Sequence, residues 1–187
     1  MNEQLQKVLN VSNYDLNKLD TQYINTYNIL ANTECYHLNS GREHYRLLMY
    51  ISNLFNNNIL FDIGTNECRS AIALSYNKNN KVKSYDIIQL LSINPEICNI
   101  EFILGDSLQD SDILKTPFIF LDVNHDGIYE NILYKFLKDN KWQGILMLDD
   151  INLNDPMRLF WENITEEKYD ITSKGHWSGT GIVVFKY

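Results

Sequence analysis

The sequence is short of the features that mark several protein classes. Its 3 cysteines, Cys35, Cys68 and Cys98, are odd in number and share no metal-type spacing. Cys68 and Cys98 lie in or beside apolar segments, which argues against a disulfide-stapled scaffold and for a reduced, intracellular protein. No apolar run approaches the roughly 20 residues that span a bilayer. The start, Met1-Asn-Glu-Gln4, lacks the basic segment and apolar run of a signal peptide. A cytoplasmic location is therefore expected. Basic residues are outnumbered, 16 Lys and Arg against 24 Asp and Glu, for a net charge of −8. That balance argues against general binding to nucleic acid or to an anionic membrane. No Pro- or Ser-rich linker or internal repeat divides the chain, and its 187 residues suit one core. Two phosphate-binding motifs are also missing. No Gly-Lys-Ser/Thr follows the first glycine loop, and Gly64 stands alone where a G-x-G-x-x-G pattern needs three glycines.

What is present has a clear order. Hydrophobic residues make up 44% of the chain, ordinary for a globular protein. Residues 1–38 are polar, but Leu5, Val8, Leu9, Leu16 and Leu19 have helical spacing, which predicts a peripheral helical lead-in. Residues 39–187 form the main domain. Ser40 with Glu43 has the spacing of a capping box and predicts a helix from Ser40 to about Phe55. Strands are then expected at Ile59–Ile63, Lys81–Tyr85, Ile100–Leu104, Phe118–Leu121 and Ile145–Leu148. Helices are expected at about Cys68–Tyr76, Ile128–Lys138 and Pro156–Trp161. This alternation predicts an α/β fold with a seven-stranded, mostly parallel sheet and helices on both faces. Late strands at Tyr169–Thr172 and Gly181–Phe185 leave no room for a crossover helix, so the last strand should be antiparallel.

Chemistry concentrates at the predicted strand ends. Phe118-Ile-Phe-Leu runs into Asp122-Val-Asn-His125-Asp126, and Gly144-Ile-Leu-Met-Leu runs into Asp149-Asp150. Ligands of open α/β sheets bind outside the carboxyl ends of the strands. Two neighbouring strands would thus deliver several carboxylates and one imidazole to a single crevice. That inventory suits a hard divalent cation with a base beside it. Asp126 is better placed to cap the following helix.

A second set of acids follows the earlier strands. Asp62-Ile-Gly64-Thr-Asn-Glu-Cys68-Arg-Ser70 joins a strand to a helix, where backbone N–H groups face a ligand. Asp86 ends the next strand and suits the hydroxyls of a ribose, and Asp106 near the end of the third suits an adenine amino group. Each alone reads as a turn or cap residue; together they favour an adenosyl ligand.

These residues resemble class I S-adenosylmethionine-dependent methyltransferases over about Ser40 to Tyr187. Ile59–Ser70 is similar to the first motif of that family, and the resemblance implies a Rossmann-like sheet. It implies cofactor contacts from Asp62, Gly64, Thr65, Asn66, Ser70, Asp86, Ile87, Asp106, Ser107 and Asp122. Cys68 departs from the motif glycine and is expected to crowd the methionine end of the cofactor. Asp-x-x-His followed by Asp-Asp after the next strand resembles the metal-dependent O-methyltransferases that act on sugar hydroxyls, such as macrolide sugar methyltransferases. By that resemblance Asp122, Asp149 and Asp150 hold Mg²⁺ and His125 is the general base. In Gly175-His-Trp-Ser-Gly-Thr-Gly181, His176 and Trp177 are candidates for contacting the acceptor, as is Arg158; a plain glycine-rich turn fits the loop equally well. The expected partner is a small-molecule or glycan acceptor, with homo-oligomerisation left open. Metal-independent methylation of another small molecule, metal-assisted hydrolysis, and a binding protein of the same fold without catalysis remain as alternatives.

Overall fold

A computed structural model of the chain describes residues 2–22, 24, 34–88 and 99–187. Seven strands form one sheet in the order β3-β2-β1-β4-β5-β7-β6. They are β1 (Ile59–Ile63), β2 (Lys81–Asp86), β3 (Ile100–Leu104), β4 (Phe118–Leu121), β5 (Gly144–Asp149), β6 (Glu167–Asp170) and β7 (Thr180–Phe185). Neighbours from β3 to β5 pair in parallel, whereas β7 runs antiparallel to both β5 and β6. The sheet reverses its winding between β1 and β4, and a crevice forms at that point. The seven-stranded, mostly parallel architecture expected from the sequence is therefore the one observed.

The strands form because their residues bury on both faces. Alternate side chains point to opposite sides. Phe118 and Phe120 enter one apolar cluster, and Ile119 and Leu121 enter the other. The first cluster is covered by α4 (Tyr45–Ser52) and α5 (Arg69–Leu74), the second by α6 (Ile128–Asp139) and α7 (Asp155–Asn163). Leu47, Leu48, Met49 and Ile51 of α4 are all buried. Burying a side chain of this size stabilises the fold by about 1.5–3 kcal/mol.

Two expectations from the sequence need correction. The helix expected from Ser40 begins at Tyr45 and ends at Ser52. Ser40 and Glu43 instead form an isolated bridge, and the Ser40 hydroxyl donates to the Asn13 carbonyl. The apparent capping box is therefore used in tertiary contacts. The lead-in contains α1 (Asn2–Asn10), α2 (Asn13–Asn17) and, after residues outside the described set, α3 (Glu34–His37). It is not peripheral, because Leu5, Val8 and Leu16 are buried in the same cluster as α4 and α5. Arg46 reinforces that junction by donating to the carbonyls of Leu16, Asn17 and Leu38. Cys98 lies outside the described residues. Among the described residues no helix is long and apolar enough to cross a membrane.

Candidate active site

The crevice at the ends of β1, β2, β3 and β4 holds a cavity of about 390 Å³. Its lining includes Gly64, Asn66, Asp86, Ile87, Ser107 and Asp122, all among the residues singled out from the sequence. The loop after β1 turns sharply because Gly64 adopts φ +105°. Its backbone N–H, with that of Thr65, donates to the Tyr85 carbonyl at 2.8 and 3.0 Å. A β-carbon at position 64 would lie 1.6 Å from the Asp122 carbonyl oxygen. Only glycine lets this loop pass so close to the end of β4. The Asp86 carboxylate accepts from the N–H groups of Asn66 and Ile88, both at 3.0 Å, so its position at the cavity wall is fixed.

The other motif residues lie beneath or beside the cavity. Asp62 is fully buried and accepts from the Ser84 hydroxyl at 2.6 Å, and Ser84 in turn contacts Thr65 at 2.7 Å. Burial pushes the Asp62 carboxyl up to about 7, against the hydrogen bonds from Ser84 and Ser70. Asp62, Thr65 and Ser70 thus brace the loop from below. Asp106 accepts from the Leu108 N–H and from the Tyr129 hydroxyl, both at 3.0 Å. Tyr129, which lines the cavity, was not anticipated from the sequence. The only available signal was an aromatic residue in the first turn of α6, just after the acidic loop.

Cys68 does not face the cavity. It holds φ +60° at the start of α5, is fully buried, and packs in the apolar cluster under the loop. Burial pushes its thiol up to about 12, so it is not a reactive thiolate. The expected crowding of the cofactor therefore has no counterpart in the geometry. Cys68→Gly should relieve about 1–2 kcal/mol of left-handed backbone strain while losing buried packing. Its affinity for S-adenosylhomocysteine, measured by calorimetry, is expected to match that of the unmodified protein.

The second acidic group assembles next to this cavity. The register of β5 against β7 pairs Asp149 with Thr180. The loop before β7 then folds back, with the Asn152 N–H donating to the Ser178 carbonyl at 2.9 Å. Gly179 makes this approach possible, since a β-carbon there would lie 2.7 Å from the Asn152 nitrogen. His125 Nε2 lies 3.3 Å from Asp122 Oδ1 and 3.3 Å from Asp150 Oδ2. Burial works against the charged form of His125, but contact with Asp122 and the nearby charges of Asp150 and Asp149 raise its pKa overall. Asp126, as expected, serves α6, accepting from the Ile128 N–H at 2.9 Å.

Asp149 and Asp150 also meet two further histidines. His176 Nδ1 is 3.4 Å from Asp149 Oδ2 and 3.0 Å from Asp150 Oδ1, and the Ser178 hydroxyl donates to Asp150. His44 Nδ1, from the residue preceding α4, is 3.3 Å from Asp149 Oδ1. Burial opposes the charge on His176, yet the two carboxylates raise its pKa to about 10. Burial likewise opposes the charge on Asp149, but His44 and His176 hold it well below the usual carboxylate range. Trp177 is exposed and lies edge-on to His176, with ring centroids 5.6 Å apart. Arg158 is turned to its own helix start, donating to the Asn152 carbonyl and pairing with Asp155.

Solved methyltransferase structures share this fold. A putative caffeoyl-CoA O-methyltransferase from Staphylococcus aureus matches with TM-score 0.57 and 14% identity, over 98% of this chain and 97% of that one. The O-methyltransferase TomG from Streptomyces achromogenes, in complex with SAM, matches with TM-score 0.52 and 16% identity, over 76% and 79%. The SAH-bound methyltransferase PaMTH1 from Podospora anserina matches with TM-score 0.53 and 13% identity, over 76% and 78%. No protein-family model and no curated protein sequence matches this chain. At these identities the likeness establishes a shared Rossmann-like methyltransferase fold.

Proposed function

We propose that this protein is an S-adenosylmethionine-dependent O-methyltransferase acting on a sugar hydroxyl, with a divalent cation, Mg²⁺ by resemblance, at the acidic end of the site. The observation that carries this reading is one continuous surface. The strand-end cavity lined by Gly64, Asp86 and Asp122 also includes His125, whose Nε2 touches both Asp122 and Asp150. The solved structures with SAM or SAH bound to the same fold support the choice of cofactor.

In this reading Asp86 takes the ribose hydroxyls, and Asp106 with Ser107 and Tyr129 faces the adenine end. Asp62, Thr65 and Ser70 hold the Gly64–Asn66 loop against the rest of the cofactor. The acceptor oxygen attacks the methyl carbon, the carbon–sulfur bond breaks, and the pair of electrons leaves with a neutral thioether. The hydroxyl proton passes to His125 Nε2, the atom that Asp122 and Asp150 flank and whose positive charge they stabilise. Asp122, Asp149 and Asp150 would supply the oxygen ligands that a hard cation prefers. A bound cation would lower the pKa of a coordinated hydroxyl and orient it. Exposed Trp177 offers an aromatic face for a sugar ring.

The reading is tested by following methyl transfer to a panel of sugar hydroxyls with and without EDTA. Transfer that stops with EDTA and returns with an added divalent cation is expected. Transfer insensitive to EDTA would favour metal-independent methylation, with the carboxylates acting only on His125, His44 and His176.

A further inference from the structure

We propose that His44, Asp149 and His176 form a nitrogen-containing metal site that selects a borderline transition-metal ion, such as Zn²⁺, Co²⁺ or Fe²⁺, over Mg²⁺. This rests on a cation centre at Asp149 and is independent of methyl transfer. The three residues come from distant parts of the chain: the approach to α4, the end of β5 and the loop before β7. Among the described residues, their ligand atoms form a tight cluster, all within 4.8 Å of one another. The spacing is informative. Metal–ligand bonds of about 2.0–2.1 Å at tetrahedral angles separate neighbouring ligand atoms by about 3.3–3.4 Å. His44 Nδ1 lies 3.3 Å from Asp149 Oδ1 and His176 Nδ1 3.4 Å from Asp149 Oδ2, so the two rings approach the two oxygens of one carboxylate at that separation.

A second observation is independent of that spacing. The His44 side chain is only 3% exposed, and neither ring nitrogen makes a hydrogen bond. Asp149 Oδ1, which faces it, also accepts none. Their 3.3 Å contact is an ion-pair distance without hydrogen-bond alignment. Leaving such buried groups unsatisfied is costly. A metal ion would satisfy one nitrogen and the carboxylate together. The ring is also held in place, with Phe120 at 4.8 Å and Tyr45 at 4.5 Å between centroids.

The surroundings of His176 fit the same assignment. Metal-binding histidines commonly direct their other ring nitrogen to a carboxylate, which orients the ring and raises its basicity. His176 Nδ1 lies 3.4 Å from Asp149 Oδ2, beside its closer contacts with Asp150 Oδ1 at 3.0 Å and the Ser178 hydroxyl at 2.7 Å, and its Nε2 lies 3.8 Å from Glu43 Oε2. Glu43 thus occupies the outer position behind the ligand. Imidazole ligands suit Zn²⁺, Co²⁺ and Fe²⁺, whereas Mg²⁺ prefers an all-oxygen shell. Three protein ligands leave positions open for water or an acceptor oxygen.

The test titrates the full-length protein, freed of metal with a chelator, with Co²⁺ alone and without cofactor. It reads the visible d–d absorption, and Zn²⁺ stoichiometry by elemental analysis. One equivalent is expected, with a spectrum lacking thiolate charge transfer. His176→Gln should weaken binding by more than the roughly 10–100-fold typical of losing an outer-shell partner, and Glu43→Gln by less than His176→Gln. His44→Gln provides a second ligand test if it folds. Uptake unchanged in His176→Gln, or no uptake of Co²⁺ or Zn²⁺ below millimolar concentration, would overturn the site and leave a metal-free ion-pair triad. A parallel Mg²⁺ titration separates the two readings. Mg²⁺ binding with no histidine-dependent Co²⁺ binding would retain the oxygen-ligated centre and reject this one.

Discussion

His125→Asn is expected to lower turnover by roughly 10²–10⁴-fold, the usual contribution of general base catalysis, while leaving cofactor affinity little changed. Asparagine is the informative replacement because His125 has φ +55°, and asparagine tolerates the left-handed region better than most residues. The loop should therefore keep its shape, including the hydrogen bond from the Asn154 side chain to the His125 carbonyl at 2.8 Å. The substitution also removes the ring that lies against Asp122 and Asp150. Those carboxylates then have no ring against them to displace when a cation binds, so metal affinity should hold or rise. A loss confined to rate, measured as kcat beside calorimetric affinities for S-adenosylhomocysteine and metal, would separate proton transfer from ligand binding. Equal losses in all three would assign His125 a structural role.

Gly64→Ala should be the most damaging single methyl group in the cofactor loop. The added β-carbon would meet the Asp122 carbonyl oxygen at 1.6 Å, and alanine would be forced to hold φ +105°. Backbone strain of this kind costs about 1–3 kcal/mol before any clash. The overlap is with backbone at the end of β4, so the loop or the strand end must move. Each kcal/mol lowers Tm by about 2–4 °C in a chain of this size, so a fall of about 6 °C or more is expected. Movement of the loop would also displace Asn66 from Asp86. Loss of S-adenosylhomocysteine binding should therefore accompany the loss of stability. An alanine variant with unchanged Tm and affinity would contradict the close packing of these two strand ends.

The legible parts of the fold are those whose burial is local. Phe118–Leu121 was readable as a strand because four consecutive apolar residues bury on both faces of the sheet. The acids Asp122, Asp149 and Asp150 were readable because they close such runs, and Asp86 because it ends the predicted strand Lys81–Tyr85. What was hidden depends on tertiary packing. The Ser40 and Glu43 spacing matches a helix start, but Ser40 donates to the Asn13 carbonyl, Glu43 lies 3.8 Å from His176, and the helix begins five residues after Ser40. His44 falls within that predicted helix, whereas it precedes α4 and, packed against Phe120, reaches Asp149. Tyr129 meets Asp106 only through the crossover from β4 into α6. Cys68 was expected to face the cofactor because its position in the motif is usually glycine, whereas its left-handed backbone turns the side chain into the core.

The most direct test is calorimetric titration of the unmodified protein with S-adenosylhomocysteine, in the absence and presence of Mg²⁺. The cavity bounded by Gly64, Asp86 and Asp122 predicts one site per chain, with micromolar affinity corresponding to about −8 kcal/mol. No binding under either condition would contradict the assignment of this cavity to an adenosyl cofactor, and with it the proposed methyl transfer.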